Sequence, residues 1–575
     1  MTRETMRYWM LVLAAGCTCG APAEAPQPTP APEAAPAAQP LDPIPEGPNV
    51  LIVLWDTARA DRMSVYGHDR PTTPKLAEFA AEAAVFEHAI SPGMWTLPTH
   101  ASFFTGLPPQ THGASATHRW LDDHHETLAE RFDEAGWDTF AFSSNLVAGQ
   151  LMNVTQGFDK AFFTYKEPYK AKARAATLAK LIPGDSSTEM SPEWKNGTER
   201  DAEFWDNAVY KDAAPLISSE LLRWLDERQA QDRPFFAYVN FMEAHTPRVP
   251  SKSARERVLT PDLLQLGLDT DQSLFTEVAW IVGKHEYTDR QLEAIRGVYD
   301  ASLVDLDDAT AELFAGLEAR GVLDDTIVVV LSDHGESLGE HHLLEHRYGL
   351  WNTLLHVPLI IRYPEAVPAG RRPDTVSTMD LFATLHALTG LELPDNPALR
   401  STDLFAEGRT ARAYATMSDP YASTLCAVYR AYPDADFAPW LHTWDAVVED
   451  DLKWLSSSEG RLELFDLMAD PGELTDITGS RSADADRLSA SWDAWAAGLA
   501  AYDPSKQSPR DQKAGRGTAA DAAMLEALGY LDGDDGAAAG LEELCKPKPK
   551  PKAKAGKAKA GKAKAGKAKR TPRKR

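Results

Sequence analysis

Five uninterrupted apolar runs decide what this 575-residue chain can fold into. They are NVLIVLWD (49–56), TFAFSSN (139–145), PFFAYVNFMEAH (234–245), TIVVVLSDHG (326–335) and VPLIIRYP (357–364). None alternates polar with apolar, so each reads as a strand buried on both faces, the pattern of a parallel sheet. Helical periodicity fills the gaps. TPKLAEFAAEAAVF (73–86) follows a Thr-Pro start with apolar residues three and four apart. YDASLVDLDDATAELFAGLEARG (299–321) runs to a glycine that suits a C′ position. Strands alternating with helices predict an α/β fold with a large, mostly parallel sheet flanked by helices. Residues 165–215 break the rhythm and read as a surface insertion. From 401 the pattern changes to short strands and a hairpin, LKWLSSSEGRLELFDL (452–467), then helices. That predicts a small C-terminal α+β subdomain over 401–531. With 43% hydrophobic residues, the chain can build a large core and two packed domains.

Both ends differ from the body. MTRETMRYWMLVLAAGC (1–17) sets Arg3 and Arg7 before a short apolar run and a Leu-Ala-Ala-Gly-Cys end. The run is too short to span a bilayer. It resembles a bacterial lipoprotein signal, in which Cys17 is lipidated and becomes the mature N-terminus; an ordinary secretory signal is the alternative. The expected place is the bacterial cell envelope, lipid-anchored, on a periplasmic or extracellular face. Residues 18–48 are Ala/Pro-rich and read as a disordered linker. Residues 532–575 read as a disordered, Lys-rich basic tail: Lys546 to Arg575 hold 15 Lys or Arg and no acid. The net charge is still −26, so the body is strongly acidic. That excludes nucleic acid as a main substrate, and a tail without aromatic residues cannot stack bases. An anionic polymer or lipid of the envelope is the expected contact of the tail. Cysteine is scarce (Cys17, Cys19, Cys426 and Cys545), which is neither a disulfide scaffold nor a Cys-x-x-Cys metal motif.

Three of the apolar runs end in metal-type ligands: the first in Asp56, the third in His245, the fourth in Asp333-His334. Ligands of open α/β sheets bind beyond the carboxyl ends of strands, so these residues face one crevice. One polar residue after a strand is usually a turn or a cap; three strands ending this way make a site. Carboxylates with an imidazole form a divalent cation site, and the imidazole favours Zn or Mn over Ca. His346, a dozen residues past His334, is a further candidate. His341 and His342 read as a solvated turn, and His356 follows. MWTLPTHASFFTG (94–106) reads as a short helix with Pro98 in its first turn and Thr105-Gly106 at its end. A threonine there, taken alone, is an N-cap. Beside a metal and a helix N-terminus, Thr96 becomes a metal-bound nucleophile. His100, His245 and His346 are then candidates to assist the leaving group. His112, in THG, joins His245 and His346 as a candidate substrate contact.

DTARADRMSVYG, TTPKLAEFAAEAAVFEHAIS, WTLPTHASFFTG, SDHGESLGEHHLLEH, VPLIIRYP, ELFDLMADPGE and LEALGYL together resemble the sulfatase family of the alkaline phosphatase superfamily, over residues 48–531. The resemblance implies an alkaline-phosphatase-like sandwich, a catalytic domain over 49–400 and a metal-dependent ester hydrolase. It also exposes departures. Sulfatases carry a Cys or Ser, converted to formylglycine, within Cys/Ser-x-Pro-x-Arg. Here that register gives Thr96-Leu97-Pro98-Thr99-His100. Threonine cannot become formylglycine, and His100 replaces the arginine. The usual Asp-Asp pair is Asp56-Thr57, and the usual Asp-Asn pair is Asp333-His334. The changes run toward relatives with a Thr nucleophile and a transition metal, such as nucleotide phosphodiesterases and phosphoethanolamine transferases. The expected activity is hydrolysis of sulfuric or phosphoric esters through Thr96, with phosphodiester or phosphonate chemistry favoured. A true sulfatase, a phosphoethanolamine-type phosphotransferase and a non-catalytic binding lipoprotein are the alternatives.

Overall fold

The apolar runs form the centre of a nine-stranded sheet. The computed structural model describes residues 46–180, 211–228, 231–420, 422–511 and 541–546. The signal segment with Cys17, nearly all of the linker, the middle of the insertion and most of the basic tail lie outside the described residues. The strands are β1 (Asn49–Trp55), β2 (Ala84–Ile90), β3 (Asp138–Ser143), β4 (Lys160–Phe163), β5 (Phe235–Phe241) and β6 (Thr326–Leu331). A small ribbon of β7 (Ser337–Leu338) and β8 (Leu344–Glu345) follows. Then come β9 (His356–Val357), β10 (Leu359–Arg362) and β11 (Gly370–Ser377). The sheet order is β11-β2-β10-β6-β1-β5-β3-β4, with β9 paired to β2.

β1 sits between β5 and β6, parallel to both. Its side chains divide by parity, as a strand's must. Val50, Ile52 and Leu54 enter one core; Leu51, Val53 and Trp55 enter the other. Each such fully buried side chain contributes roughly 1.5–3 kcal/mol, which is why this run tolerates no polar residue before Asp56. The second core is closed by the helix Asp289–Glu318, through Ile295, Tyr299, Leu303, Leu306, Leu313 and Leu317. A capping box of Thr288 and Gln291 starts that helix ten residues ahead of the stretch read from sequence.

Two local expectations are corrected. VPLIIRYP is not parallel: β10 runs antiparallel to both β6 and β2. A parallel crossover needs a helix, and the chain between β6 and β10 has only the four-residue helix Asn352–Leu355 and a 3-10 turn. The helix expected through residue 86 ends at Ala80, and Ala84–Ile90 is β2. Alanines satisfy either pattern, so the helical spacing ran on into a strand.

Past residue 401 the chain forms an antiparallel sheet of β12 (Arg412–Met417), β13 (Trp444–Glu449), β14 (Leu452–Ser457) and β15 (Leu462–Asp466), in sequential order. The helix Ser482–Ala497 covers one face through Ala485 and Leu488. The other face, with Ala413, Ala415, Ala446 and Leu455, joins the first core of the large sheet. The described residues therefore lie in one compact unit, in which the small C-terminal sheet shares the core of the large one. A buried ion pair, Lys453 to Glu473 at 2.6 Å, tightens the union: Glu473 accepts the Asn352 N–H at 2.6 Å.

The chain also has a disulfide that the cysteine spacing gave no reason to expect. Cys426 is bonded to Cys545, 119 residues later. Residues 541–546 therefore belong to the folded body, although the composition placed them in the basic tail. Leu541–Leu544 is a short helix, and the Cys545 carbonyl accepts from Arg430 Nε at 3.1 Å. Among the described residues no helix is long and apolar enough to cross a membrane.

Candidate active site

Because β1, β3, β5 and β6 are mutually parallel, their carboxyl ends open on one edge. β1 delivers Asp56, β3 Asn145, β5 His245, and β6 Asp333 and His334. β2 runs the same way, being antiparallel to β10, and leads through Ser91 to the helix Thr96–Thr105. Ser91 Oγ ties the two paths by donating to the Asp333 carbonyl at 2.6 Å. Gly335 is needed after His334, since a Cβ there would stand 2.0 Å from the Thr353 carbonyl oxygen. Thr57 adopts φ +61°, a left-handed conformation that strains a β-branched residue by about 1–3 kcal/mol. It is held there by Tyr299 Oη, which donates to its carbonyl at 2.7 Å, and by its own N–H, which donates to Asp333 Oδ1 at 3.3 Å.

Asp56, Asp333 and His334 offer ligand atoms that all lie within 4.8 Å of one another, and all three residues are buried. Asp56 Oδ2 accepts from Asn145 Nδ2 at 2.8 Å and Asn240 Nδ2 at 3.2 Å. Asp56 Oδ1 and Asp333 Oδ2 accept no aligned hydrogen bond. Burying unsatisfied carboxylate oxygens is costly unless a cation meets them. Burial pushes the Asp56 carboxyl up to about 7, and the charge on Asp333 adds to the effect. Burial would raise Asp333 as well, but the His334 imidazole holds it well below the usual carboxylate range. Burial would lower His334, yet the Asp333 carboxylate lifts it to about 9. The donor set thus retains protons where a divalent ion fits.

That gives a measurable expectation. At pH 7 the metal-free group holds one proton on His334 and about half a proton on Asp56, and a binding cation must displace them. Calorimetry with Zn²⁺ in buffers of different ionisation enthalpy is expected to show about one to two protons released per ion. Since protons compete with the metal, binding is expected to tighten as pH rises to about 9. Affinity that stays flat over that range would remove these three residues as the ligand set.

Thr96 is the first residue of its helix, and the cap position is Trp95, which makes no side-chain cap bond. The threonine is therefore no N-cap. Its Oγ1 lies 3.3 Å from His334 Nε2 and accepts from Asn145 Nδ2 at 3.3 Å. The unsatisfied N–H groups of the first turn give this end of the helix a partial positive charge. At the other end Gly106 adopts φ +68° and closes the helix through its N–H to the Ser102 carbonyl.

The histidines divide. His346 lies against the donor group, its ring 4.4 Å from that of His334, and His245 is 5.1 Å from His346. His346 Nδ1 meets Glu336 Oε1 at 2.8 Å, and Glu336 Oε2 accepts from Arg248 at 2.5 Å. His245 Nδ1 meets the Thr246 carbonyl at 2.6 Å. Burial pulls both rings well below the usual imidazole range, so both are neutral near pH 7. His100 stands behind the Thr96 hydroxyl. Its Nδ1 meets the Thr96 carbonyl and its Nε2 the Tyr238 hydroxyl, each at 2.8 Å, so both ring nitrogens are committed. His112 contacts Ser102 Oγ and the Ala114 N–H, one helical turn and more beyond Thr96. His341 stacks on Trp351, His342 packs at a tilt against Trp280, and His356 bonds the Glu87 carbonyl; none joins the group. Sequence reasoning missed Asn145, Asn240, Glu336 and Arg248. Asn145 carried the signal already used for Asp56, a polar residue just past an apolar run.

Comparison with known proteins gives the family and agrees with the fold. The profile of the family described as Sulfatase matches residues 48–391. The ulvan-active sulfatase of Formosa agariphila is 24% identical over 438 residues, covering 76% of this chain and 78% of that protein. The arylsulfatase of Clostridium perfringens is 21% identical, covering 75% of this chain and 90% of its own. Among solved structures, the phosphonate monoester hydrolase of Agrobacterium radiobacter superposes with a TM-score of 0.59 at 21% identity, over 78% of this chain and 95% of that one.

Proposed function

Because the chain belongs to the sulfatase family, ester hydrolases of the alkaline phosphatase superfamily, we propose that it cleaves singly charged phosphodiesters or phosphonate monoesters, with Thr96 as nucleophile. The observation that carries this reading is the Thr96 hydroxyl at a helix start, 3.3 Å from both His334 Nε2 and Asn145 Nδ2. A formylglycine hydrate expels sulfate by elimination through its second hydroxyl. Threonine has no second hydroxyl, so its ester must be opened by attack at the central atom, a route suited to phosphorus.

A divalent ion held by Asp56, Asp333 and His334 would supply the positive charge that favours an ionised Thr96 hydroxyl and the charge gathering on ester oxygens. Asn145 donates to the same hydroxyl and orients it. Thr96 Oγ1 attacks phosphorus in line; the new Thr96 O–P bond forms as the bond to the departing alcohol breaks, and the proton given up by Thr96 passes by way of His245 Nε2 to that alcohol. Water then attacks the Thr96 ester at phosphorus, and Thr96 regains its hydroxyl proton. His245, with Nδ1 committed to the Thr246 carbonyl, serves at Nε2 as the acceptor of the water's proton. His346, oriented by Glu336, contacts the ester oxygens. His100 acts as a positioning residue. Burial keeps the Tyr238 hydroxyl protonated, so it donates to His100 Nε2 and leaves Nδ1–H to fix the Thr96 carbonyl. The imidazole of His334 and the amide of Asn145, each 3.3 Å from the Thr96 hydroxyl, suit a monoanionic ester.

The names of the curated relatives favour a second reading, a sulfuric ester hydrolase. A panel of 4-nitrophenyl esters (a phosphodiester, a phenylphosphonate, a sulfate and a phosphomonoester) separates the two. Expected is a kcat/KM at least about tenfold higher for the diester and phosphonate than for the sulfate. A tenfold preference for the sulfate would restore the sulfatase reading. Product analysis with added alcohols would expose transfer to an acceptor. We also propose an envelope location with lipid on Cys17. The Cys426–Cys545 disulfide supports an oxidising compartment of this kind.

A further inference from the structure

Glu336 fixes the ring of His346, but the chain on either side of that histidine is held by a separate group of charges. Glu345 precedes His346 and Arg347 follows it, and both are buried. Arg347 Nη2 lies 2.6 Å from Glu345 Oε2, and Arg347 Nη1 donates to Glu277 Oε2 at 3.1 Å. Glu277 is buried as well and belongs to the helix Leu274–Ile281. That helix is a firm anchor: Val278 and Ala279 enter the first core and Trp280 the second. Glu345 closes β8, opposite Ser337 of β7, and adopts φ +61°. A left-handed glutamate is strained and persists only where its surroundings over-determine it. The pair with Arg347 supplies that constraint. Two carboxyl groups thus share one guanidinium away from water, and with both ionised the group would hold an uncompensated buried charge. Burial pushes the Glu277 carboxyl well above the usual range, and the charge on Glu345 adds to the effect. Two other ionisable groups face Glu277. Glu336 is already shared by Arg248 and His346, and burial keeps the Tyr287 phenol protonated. Neither brings a second cation, so Glu277 is neutral near pH 7.

We propose that Glu277 is a positioning residue for ester cleavage: through Arg347 and Glu345 it holds the chain on both sides of His346 and so keeps that ring against the donor group. The role rests on the ester-hydrolase reading above, in which His346 contacts the ester oxygens. Glu277 itself touches neither the ester nor a metal ligand. Its proton matters because it lets two acids meet one guanidinium without repulsion. Once that proton is lost at alkaline pH, the two carboxylates repel, the strained turn at Glu345 relaxes, and His346 moves with it. A displacement of about 1 Å in a group that contacts the reacting atoms is enough to cost roughly 100-fold in rate.

The test compares Glu277→Ala and Glu277→Gln with wild type in the full chain, using whichever 4-nitrophenyl ester of the panel turns over best. Hydrogen exchange over residues 344–349 gives a reading that needs no turnover. Glu277→Ala is expected to lower kcat about 10- to 100-fold, with KM within about threefold, metal content unchanged and exchange over 344–349 faster. Glutamine keeps an acceptor for Arg347 and a donor for Glu345 but cannot ionise. Glu277→Gln is therefore expected to hold kcat within about threefold at pH 7 and to leave the exchange as in wild type. It should also move the alkaline fall of kcat/KM upward by at least about one pH unit, a change that a merely structural side chain would not produce. The proposal is overturned if Glu277→Ala turns over within about threefold of wild type, or if Glu277→Gln loses as much as Glu277→Ala. It is also overturned if Glu277→Gln and wild type follow the same alkaline profile. If the alanine variant fails to fold, the glutamine profile decides. If no form turns over any ester of the panel, the ester-hydrolase reading falls, while exchange over 344–349 still judges the positioning: an unchanged rate in Glu277→Ala overturns it.

Discussion

Thr96→Ala is expected to lower kcat by about 10⁴- to 10⁶-fold on whichever ester the enzyme prefers, which is about 5–8 kcal/mol on the barrier. The fold should not notice. The cap position is Trp95, so the alanine leaves the helix start to Trp95 and Pro98 as before. Metal content should also hold, because Asp56, Asp333 and His334 remain. Thr96→Ser keeps the hydroxyl but frees its rotamer, so it should retain a measurable fraction of turnover. A rapid quench followed by mass spectrometry should find a phosphoryl or sulfuryl group on the peptide containing Thr96. An alanine variant with near-wild-type turnover would leave Thr96 as an ordinary first residue of a helix and end the proposed mechanism.

Asp333→Ala is expected to strip the metal and the activity together. Elemental analysis of the wild type should give about one Zn or Mn per chain, and of the variant nearly none. Turnover should fall by more than about 1000-fold, since even the loss of a group that only orients a metal ligand costs about 10- to 100-fold. Compared with metal-free wild type, the variant also lacks the carboxylate that keeps His334 charged, so the imidazole should become a neutral buried ring. Histidine proton signals would report that change without any assay of turnover. Full activity in metal-free wild type would contradict the metal role outright.

The edge that carries the candidate site was legible because strand ends announce themselves. Runs that stay apolar up to Asp56, and up to the Ser332 just before Asp333, leave little choice of where the chain first meets a polar space, and the run to His245 is broken only by Asn240 and Glu243. Strand direction was not legible in the same way. A strand buried on both faces shows the same apolar run whichever way it points, so β10 could not be told from a parallel neighbour. β11 escaped because its first half, Gly370 to Asp374, is mostly exposed and polar at the sheet edge. His100 could be placed one turn beyond Thr96. That Tyr238, from β5, takes its other nitrogen is a tertiary fact with no local trace. The disulfide lay beyond reach for a related reason: Cys426 and Cys545 sit in stretches of different character, and only the packing of the Leu541–Leu544 helix brings them together.

The sheet order has a consequence for how the enzyme matures. β1 lies between β5 and β6, so Asp56 meets Asp333 only after strands far apart in the chain have paired. Pairings of such long range form late and slowly, because the loop between them must be closed before any contact rewards it. A nascent chain has no preformed place for an ion. A divalent ion at the candidate site would therefore be acquired by the finished sheet, from whatever ions the compartment of folding contains. An enzyme built this way takes its metal identity as much from its address as from its ligands. Moving production to another compartment should change the ion it carries without changing a residue.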